Sequence, residues 1–200
     1  MEKASENQIK KDYRIQTGIT RGKKIEIFVN GQPIDAYEGE TIGAALAANG
    51  IREFRRTAQL KDPRGMYCCM GSCYGCLVTV DGQPNIRACI TPVQAGEQIT
   101  LQDGFGRVDM DLTEPQPGRL VRRQVPLVIV GGGPAGLSAA IAAARAGTRV
   151  LVIDENLQAG GQIYRQLPQT FRVNDPAILG SDYRDGKSLL GQALDECVKT

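Results

Sequence analysis

Residues 127–154 read LVIVGGGPAGLSAAIAAARAGTRVLVID, and this stretch indicates the fold of the second half of the chain. Its two short apolar runs indicate buried strands, whereas the alanine-rich run between them indicates a helix. We therefore predict a strand over 127–130, a helix over 137–146 and a strand over 149–153, which form one βαβ unit. The glycines and the proline at its centre argue against a membrane span, although no residue between Arg123 and Arg145 is charged.

The turn of this unit carries the pattern G-x-G-x-x-G at Gly131, Gly133 and Gly136. The first glycine permits a tight turn, the second lets the backbone approach a pyrophosphate, and the third permits close packing of helix and strand. Amide groups at the N-terminus of the helix favour phosphate. The pattern predicts a dinucleotide site, in which Pro134 and Ala135 complete the binding loop.

A carboxylate follows the second strand of the unit, where it can bind the ribose of the dinucleotide. Asp154 lies 23 residues after Gly131, and the adjacent Glu155 is the competing candidate. A carboxylate here disfavours the 2′-phosphate of NADP, so FAD or NAD is expected. These residues alone leave the choice between FAD and NAD open.

Four cysteines earlier in the chain, Cys68, Cys73, Cys76 and Cys89, follow the spacing C-x₄-C-x₂-C-x₁₂-C. The C-x₄-C-x₂-C…C pattern is typical of plant-type [2Fe–2S] sites. Structural zinc, a [4Fe–4S] cluster and a disulfide framework are the alternatives, and the single CxxC pair disfavours zinc. Cys69 competes with Cys68 for the first ligand position.

Gly71 and Gly75 lie between these cysteines, where we expect both to adopt the positive φ that other residues resist. The sixth cysteine, Cys197, is expected to be an ordinary thiol.

The composition excludes several classes of site. The 200 residues include 24 glycines and no histidine, so a Ser-His-Asp triad, a Rieske cluster and histidine-ligated haem are excluded within them. The net charge of +2 and the scattered basic residues do not favour nucleic-acid binding. The first residues lack the apolar core of a targeting peptide, and we expect a cytoplasmic location.

The first half of the chain shows the local signals of a small α+β domain. Asn30-Gly31 and Asp81-Gly82 are hairpin turn signals, and Thr41 is a candidate N-cap. Strands are expected over 24–29, 33–37, 77–80, 86–90 and 98–101, with a helix over 42–48. The predicted domains are a flexible arm (1–22), a cluster domain (23–105), a linker (106–124) and the start of a dinucleotide-binding domain (125–200).

The stretch MYCCMGSCYGCLVTVDGQPNIRACIT, residues 66–91, resembles the ferredoxin-like β-grasp domain found with amine and amino-acid dehydrogenases. This family includes sarcosine oxidase alpha subunits, opine oxidases, D-proline and hydroxyproline dehydrogenases and bacterial cyanide synthase. The resemblance covers about residues 22–105. It implies [2Fe–2S] ligation by the four cysteines at the spacing given above, the last of them one hairpin after the third.

Further along, Gly160, Gly161 and Gln162 resemble the GGQ segment of flavoproteins in the same group, where it lies against FAD. The resemblance implies a β-grasp domain followed by an incomplete Rossmann-type domain. It also implies an oxidoreductase for CH–NH substrates, in which FAD and the cluster exchange electrons and a partner flavoprotein subunit oxidises the substrate. NAD instead of FAD, or in addition to it, stays open, and so does the electron acceptor.

Two other functions remain as hypotheses: a non-catalytic electron carrier or assembly module with a vestigial dinucleotide fold, and a nucleotide-binding protein with structural zinc. Only two strands of the parallel sheet are predicted, too few to bury both faces of a sheet. We therefore expect the chain to be a fragment, a truncated product, or a part completed by another chain.

Overall fold

A computed structural model describes residues 12–107, 121–156 and 158–197. Most of the predicted linker, residues 108–120, lies outside these ranges. The strands are β1 (Ile19–Thr20), β2 (Lys24–Val29), β3 (Gln32–Tyr37), β4 (Arg55–Arg56), β5 (Pro63–Arg64), β6 (Leu77–Val80), β7 (Gln83–Arg87), β8 (Gln98–Asp103), β9 (Leu127–Val130), β10 (Val150–Ile153) and β11 (Arg172–Val173). The helices are α1 (Ile42–Ala48), α2 (Pro134–Arg145) and α3 (Gly180–Cys197), and a 3₁₀ turn spans Pro176–Leu179.

The first half of the chain forms one mixed sheet in the order β3-β2-β8-β4-β5, and β6 pairs with both β7 and β8. Alternating residues of β2 point into the core, so that Ile25, Ile27 and Val29 are buried while Lys24 and Glu26 are exposed. This alternation is the period-2 pattern of a strand with one solvated face. The buried face packs against α1.

The predicted hairpin and helix of this half are confirmed. Asn30 and Gly31 both take positive φ, as a two-residue hairpin turn requires. The Thr41 hydroxyl accepts a hydrogen bond from the Ala44 amide at 3.2 Å, which caps α1, and Gly50 follows the helix at φ +83°. The helix packs against the sheet because this contact buries the apolar face of the helix.

The position of Cys89 corrects one expectation. The strand predicted over 86–90 instead spans Gln83–Arg87, so Cys89 lies in the turn that follows it. The strand begins directly after the Asp81-Gly82 turn and includes Pro84, which is tolerated because β7 pairs only with β6 and is an edge strand. The turn leaves the Cys89 backbone free of ladder hydrogen bonds and available to the cysteine site.

The second half of the chain contains the predicted βαβ unit. β9 and β10 pair in parallel from Val150 opposite Leu127 to Ile153 opposite Val130. The helix between them begins at Pro134, earlier than predicted, because proline is well suited to the first turn of a helix. α3 packs on α2 through Ala193, Leu137 and Ile141, which form a small second core.

The two halves contact each other at several points. β1 pairs with β11 antiparallel, and the Thr170 hydroxyl donates to the Glu38 carbonyl at 2.8 Å. Of the segment expected to be an arm, residues 12–22 are described, and Arg14 is held there in an ion pair with buried Glu40 at 2.6 Å. Among the described residues, no helix is both long and apolar enough to span a bilayer.

Candidate cysteine cluster and glycine loop

We call the segment from Cys68 to Cys76, which lies between β5 and β6, the cysteine loop. Three of its thiols and the thiol of Cys89 form two pairs. The Cys68 thiol hydrogen bonds with Cys73, and the Cys76 thiol hydrogen bonds with Cys89. The turn after β7 carries Cys89 back to the start of β6, which explains how a cysteine distant in sequence joins the loop. Of the cysteines whose side chains the structure describes, Cys68, Cys69, Cys73, Cys76 and Cys89 are all free of disulfide bonds.

Backbone amides donate to three of these sulfurs. The Cys68 Sγ accepts from the amides of Met70 at 3.5 Å and Cys73 at 3.4 Å. The Cys73 Sγ accepts from Gly75, and the Cys76 Sγ accepts from Cys89, both at 3.4 Å. Amide donors stabilise thiolates and tune the potential of an iron–sulfur cluster bound to them.

The pKa values of the thiols follow these contacts. Burial opposes ionisation of Cys68, but the amides of Met70 and Cys73 together hold its pKa below the ordinary value. The hydrogen bond from Cys89 lowers the pKa of Cys76 to about 7. The same hydrogen bond, with burial, raises the pKa of Cys89. Cys76 is thus the better anion of the Cys76–Cys89 pair.

The neighbouring Cys69 differs from these four. Its backbone is in the left-handed region at φ +53°, and burial, with the nearby charge of Cys89, raises the pKa of its thiol. Its carbonyl accepts a hydrogen bond from the guanidinium of Arg165, so the residue is held by its backbone.

The two glycines of the cysteine loop have different roles. Gly71 takes φ +84°, as predicted, but the expected positive φ of Gly75 is wrong, and Tyr74 has φ +53° instead. A Cβ on Gly75 would lie 3.0 Å from the Gly65 carbonyl oxygen, so this glycine supplies space rather than a special backbone conformation.

The described residues hold no group of three or more cysteine, aspartate or glutamate side chains arranged around one metal ion. A [2Fe–2S] cluster instead takes two thiolates on each iron. The pairs Cys68–Cys73 and Cys76–Cys89 therefore fit two irons.

The glycine loop, residues 131–136, closes tightly at the end of β9. Gly131 takes φ +101°, and its amide donates to the Ile153 carbonyl at 2.7 Å. A Cβ on Gly136 would lie 1.9 Å from the Gly131 carbonyl oxygen, so only glycine fits there. Gly133 is the N-cap of α2 and has no side chain to occupy the first-turn amides. The loop therefore presents amides at a helix N-terminus, as anion binding requires.

The two carboxylates after β10 face different partners. Asp154 accepts from the Gly132 amide at 2.6 Å and from the Asn156 amide at 2.7 Å. Burial opposes its ionisation, but these amides keep the pKa of Asp154 below the ordinary value. Glu155 instead lies 3.6 Å from the guanidinium of Arg87, on the side of the cysteine loop.

The predicted GGQ segment lies against the glycine loop. The Gly160 amide donates to the Gly132 carbonyl at 2.7 Å, and a Cβ on Gly161 would lie 3.0 Å from the Gly133 Cα. Gln162 is exposed. A cavity of about 460 Å³ opens beside this segment, between the two halves of the chain, and its lining includes Ile90 and Phe171.

Comparison with known proteins gives a family for each half of the chain. Residues 22–104 match the family described as 2Fe-2S iron-sulfur cluster binding domain, and residues 126–198 match FAD dependent oxidoreductase. Hydrogen cyanide synthase subunit HcnA of Pseudomonas aeruginosa is 42% identical over 76 residues, which are 38% of this chain and 72% of that protein. The chain belongs to the 2Fe-2S family that includes HcnA.

We call residues 22–104 the 2Fe-2S domain and residues 126–198 the FAD segment. Sarcosine oxidase subunit alpha of Corynebacterium sp. (strain P-1) is 35% identical over 152 residues, which are 72% of this chain and 16% of that protein. The solved structure of L-proline dehydrogenase from P. horikoshii aligns with a TM-score of 0.60 and 28% identity, over 86% of this chain and 32% of that one. The chain thus spans about one sixth of the sarcosine oxidase subunit.

Three arginines around the cysteine loop were missed by the sequence reasoning. Arg55 and Arg87 belong to the 2Fe-2S domain, whereas Arg165 belongs to the FAD segment. Each donates to a backbone carbonyl of the loop: Arg55 to Tyr74 at 3.2 Å, Arg87 to Gly71 at 3.0 Å, and Arg165 to Cys69. Arg55 precedes Arg56, a pair that from the sequence alone is expected to be solvated, and nothing local to Arg87 or Arg165 signals such a contact.

Proposed function

We propose that the chain is part of an iron–sulfur flavoprotein oxidoreductase in which electrons pass between FAD and a [2Fe–2S] cluster. The observation that carries the proposal is the ion pair of Arg87 with Glu155, because it joins the cysteine loop to the end of β10 beside the glycine loop. Two redox sites held next to each other in one chain suit electron transfer between them. The matching families supply a cluster on one side and FAD on the other.

We assign the cluster ligands as Cys68, Cys73, Cys76 and Cys89. The amide bonds to the Cys68 sulfur and its lowered pKa support it over Cys69 as the first ligand. Serine at each position in turn tests the choice: Cys68→Ser should lose the visible cluster spectrum and Cys69→Ser should keep it. The reverse result would transfer the ligand role to Cys69.

We propose that FAD binds across the glycine loop, with its pyrophosphate on the free amides at the start of α2. Contacts to the cofactor are assigned to Gly131, Gly133, Pro134, Ala135, Gly136, Asp154, Glu155, Gly160, Gly161 and Gln162. When bound, FAD supplies the electron-transfer chemistry, and the protein supplies its position. Asp154 accepts a hydrogen bond from the Gly132 amide within the loop, and the adjacent, exposed Glu155 is the competing carboxylate for a ribose hydroxyl.

Release of the bound nucleotide by heat tests this assignment directly. Yellow, fluorescent FAD in the supernatant of the denatured protein is the expected result. NAD in its place would overturn the choice of FAD while leaving the glycine-loop site intact, and both together would add a second nucleotide to the proposal.

The fold assignment proposed here is a β-grasp domain over residues 23–105 and the first part of a Rossmann-type domain over 125–200, joined by a linker over 106–124. The parallel pairing of β2 with β8 and the position of α1 after the β2–β3 hairpin support the first assignment. The β9–α2–β10 unit supports the second. The named relatives support an amine or amino-acid substrate, oxidised on a partner flavoprotein subunit. We also propose a cytoplasmic location.

A second candidate is a non-catalytic electron carrier. The match to HcnA supports it, because the alignment covers only 38% of this chain, about the extent of the 2Fe-2S domain. Flavin content separates the two proposals. A purified protein with a full cluster and no nucleotide at saturating FAD would favour the carrier.

A further inference from the structure

The cysteine loop lies among positive charges that come from both halves of the chain. The guanidinium groups of Arg55, Arg87 and Arg165 each donate to one of its carbonyls. Arg55 is 7% exposed and lies 4.6 Å from the centre of the Phe105 ring. Arg87 also lies 5.8 Å from the centre of the Tyr74 ring. The carboxylate that faces this group of cations is Glu155, which pairs with Arg87.

We propose that Arg165 is a positioning residue through which the FAD segment raises the reduction potential of the cluster in the 2Fe-2S domain. The inference rests on the proposed function, since it requires a cluster on the four cysteines. Arg165 is the one member of the arginine group that the FAD segment contributes, and it follows the GGQ segment by three residues. The same loop therefore contacts both cofactor sites.

The physical reason is the charge of the cluster. A cluster held by four thiolates is anionic, and reduction adds one electron without a proton, so the reduced form carries more negative charge. A nearby cation stabilises the reduced form more than the oxidised form, and net charge and hydrogen bonding are known determinants of cluster potential. Arg165 brings such a cation to the cysteine loop, because its guanidinium donates a hydrogen bond to the Cys69 carbonyl.

The bond to the Cys69 carbonyl gives the arginine a second effect. Cys69 occupies the left-handed region, and its carbonyl orientation determines where the following amides point. One of these amides, that of Met70, donates to the Cys68 sulfur. Arg165 therefore places a positive charge beside the cysteine loop and also fixes the orientation of an amide donor.

The test compares three variants of the whole chain: Arg165→Gln, which removes the charge, Arg165→Lys, which keeps it, and Arg149→Gln, an exposed control in the same segment. The cluster is titrated with dithionite against redox dyes and followed by visible absorbance and by the electron paramagnetic resonance of the reduced form. We expect Arg165→Gln to lower the ratio of reduced to oxidised cluster at a fixed potential by roughly threefold or more. A tenfold change would correspond to about 59 mV for a one-electron couple.

Arg165→Lys should retain most of the wild-type ratio of reduced to oxidised cluster, and Arg149→Gln should match the wild type. The effect of Arg165→Gln should shrink at high salt because the Arg165 side chain is exposed. Glu155→Gln removes the negative charge that pairs with Arg87 and should raise the ratio of reduced to oxidised cluster. This variant provides the test if Arg165→Gln binds no cluster. Equal titrations of Arg165→Gln and wild type, with full iron content in both, would overturn this inference. A wild-type protein without a cluster would instead overturn the proposed function.

Discussion

The carboxylate of Asp154 accepts a hydrogen bond from the backbone amide of Gly132 at 2.6 Å. This bond joins the end of β10 to the middle of the glycine loop and fixes the conformation of the loop. The second carboxylate oxygen accepts from the backbone and side-chain amides of Asn156 at 2.7 and 2.9 Å. Asp154 therefore stabilises the conformation of the glycine loop.

Asp154→Asn should destabilise the FAD segment by about 1 kcal/mol at neutral pH, because a charged acceptor becomes a neutral one. The folded protein lowers the pKa of Asp154, so its contribution to stability is fully present above the unfolded pKa of about 3.9 and is lost as pH falls through the folded pKa. Urea unfolding of both proteins at several pH values measures this difference, which should vanish in acid. Asp195→Asn, at an exposed site, should change stability by less than about 0.5 kcal/mol.

Two helical glycines give opposite predictions for alanine. Gly136→Ala should cost about 2–3 kcal/mol and weaken FAD binding, because the added Cβ would lie 1.9 Å from the Gly131 carbonyl oxygen. Gly191→Ala in α3 meets no atom within 4 Å and should stabilise the protein by up to about 1 kcal/mol. Thermal unfolding and flavin titration distinguish the pair. Equal effects of the two changes would mean that the close approach at Gly136 does not exist.

Gly71 and Gly82 have nearly the same backbone conformation, at φ +84° and +81°, but different surroundings. A Cβ on Gly71 would lie 2.8 Å from Ile90 and 3.0 Å from the Arg87 guanidinium, whereas one on Gly82 would meet nothing within 4 Å. Alanine at Gly82 should therefore cost only the left-handed strain, about 1–2 kcal/mol. Alanine at Gly71 should in addition displace the cysteine loop and speed loss of iron to a chelator. Similar rates of iron loss would contradict the described packing.

The buried ion pair between Glu40 and Arg14 should contribute far more than a similar pair at the surface. Glu40 is 8% exposed and accepts from two Arg14 nitrogens, at 2.6 and 2.8 Å. Glu40→Gln leaves that guanidinium buried without its main partner and should cost on the order of 2–3 kcal/mol. Lys24 pairs with Asp35 at 2.8 Å on the exposed surface, and Lys24→Gln should leave the unfolding curve close to that of the wild type. Urea unfolding curves give both values, and a Glu40 variant as stable as wild type would refute the assigned role.

The parts of the fold that follow from local signals could be predicted from the sequence. The Asn30-Gly31 turn and the Thr41 cap each depend on neighbouring residues, and the structure has both at the expected positions. The β7 strand was misplaced because Pro84 argues against a strand, and its tolerance depends on β7 lying at the edge of the sheet. That property is decided by the whole topology and not by the residues nearby.

In the candidate site, too, features encoded by local sequence could be predicted, and contacts between distant residues could not. The spacing of the four cysteines predicted their proximity, and the glycine pattern predicted the loop. The contacts of Arg165 with Cys69 and of Glu155 with Arg87 join residues far apart in the chain, and no periodicity or spacing encodes them. The split of roles between Asp154 and Glu155 likewise depends on which neighbour each faces.

Our principal proposal is that four cysteines in two pairs hold a [2Fe–2S] cluster beside a flavin site. We would test this claim by quantifying iron, acid-labile sulfide and zinc in the purified protein and recording visible spectra before and after dithionite. We predict about two irons and about two sulfides per chain, no zinc, and a red-brown absorbance that bleaches on reduction. A colourless protein with one zinc per chain, or a protein with iron but no sulfide, would contradict the claim.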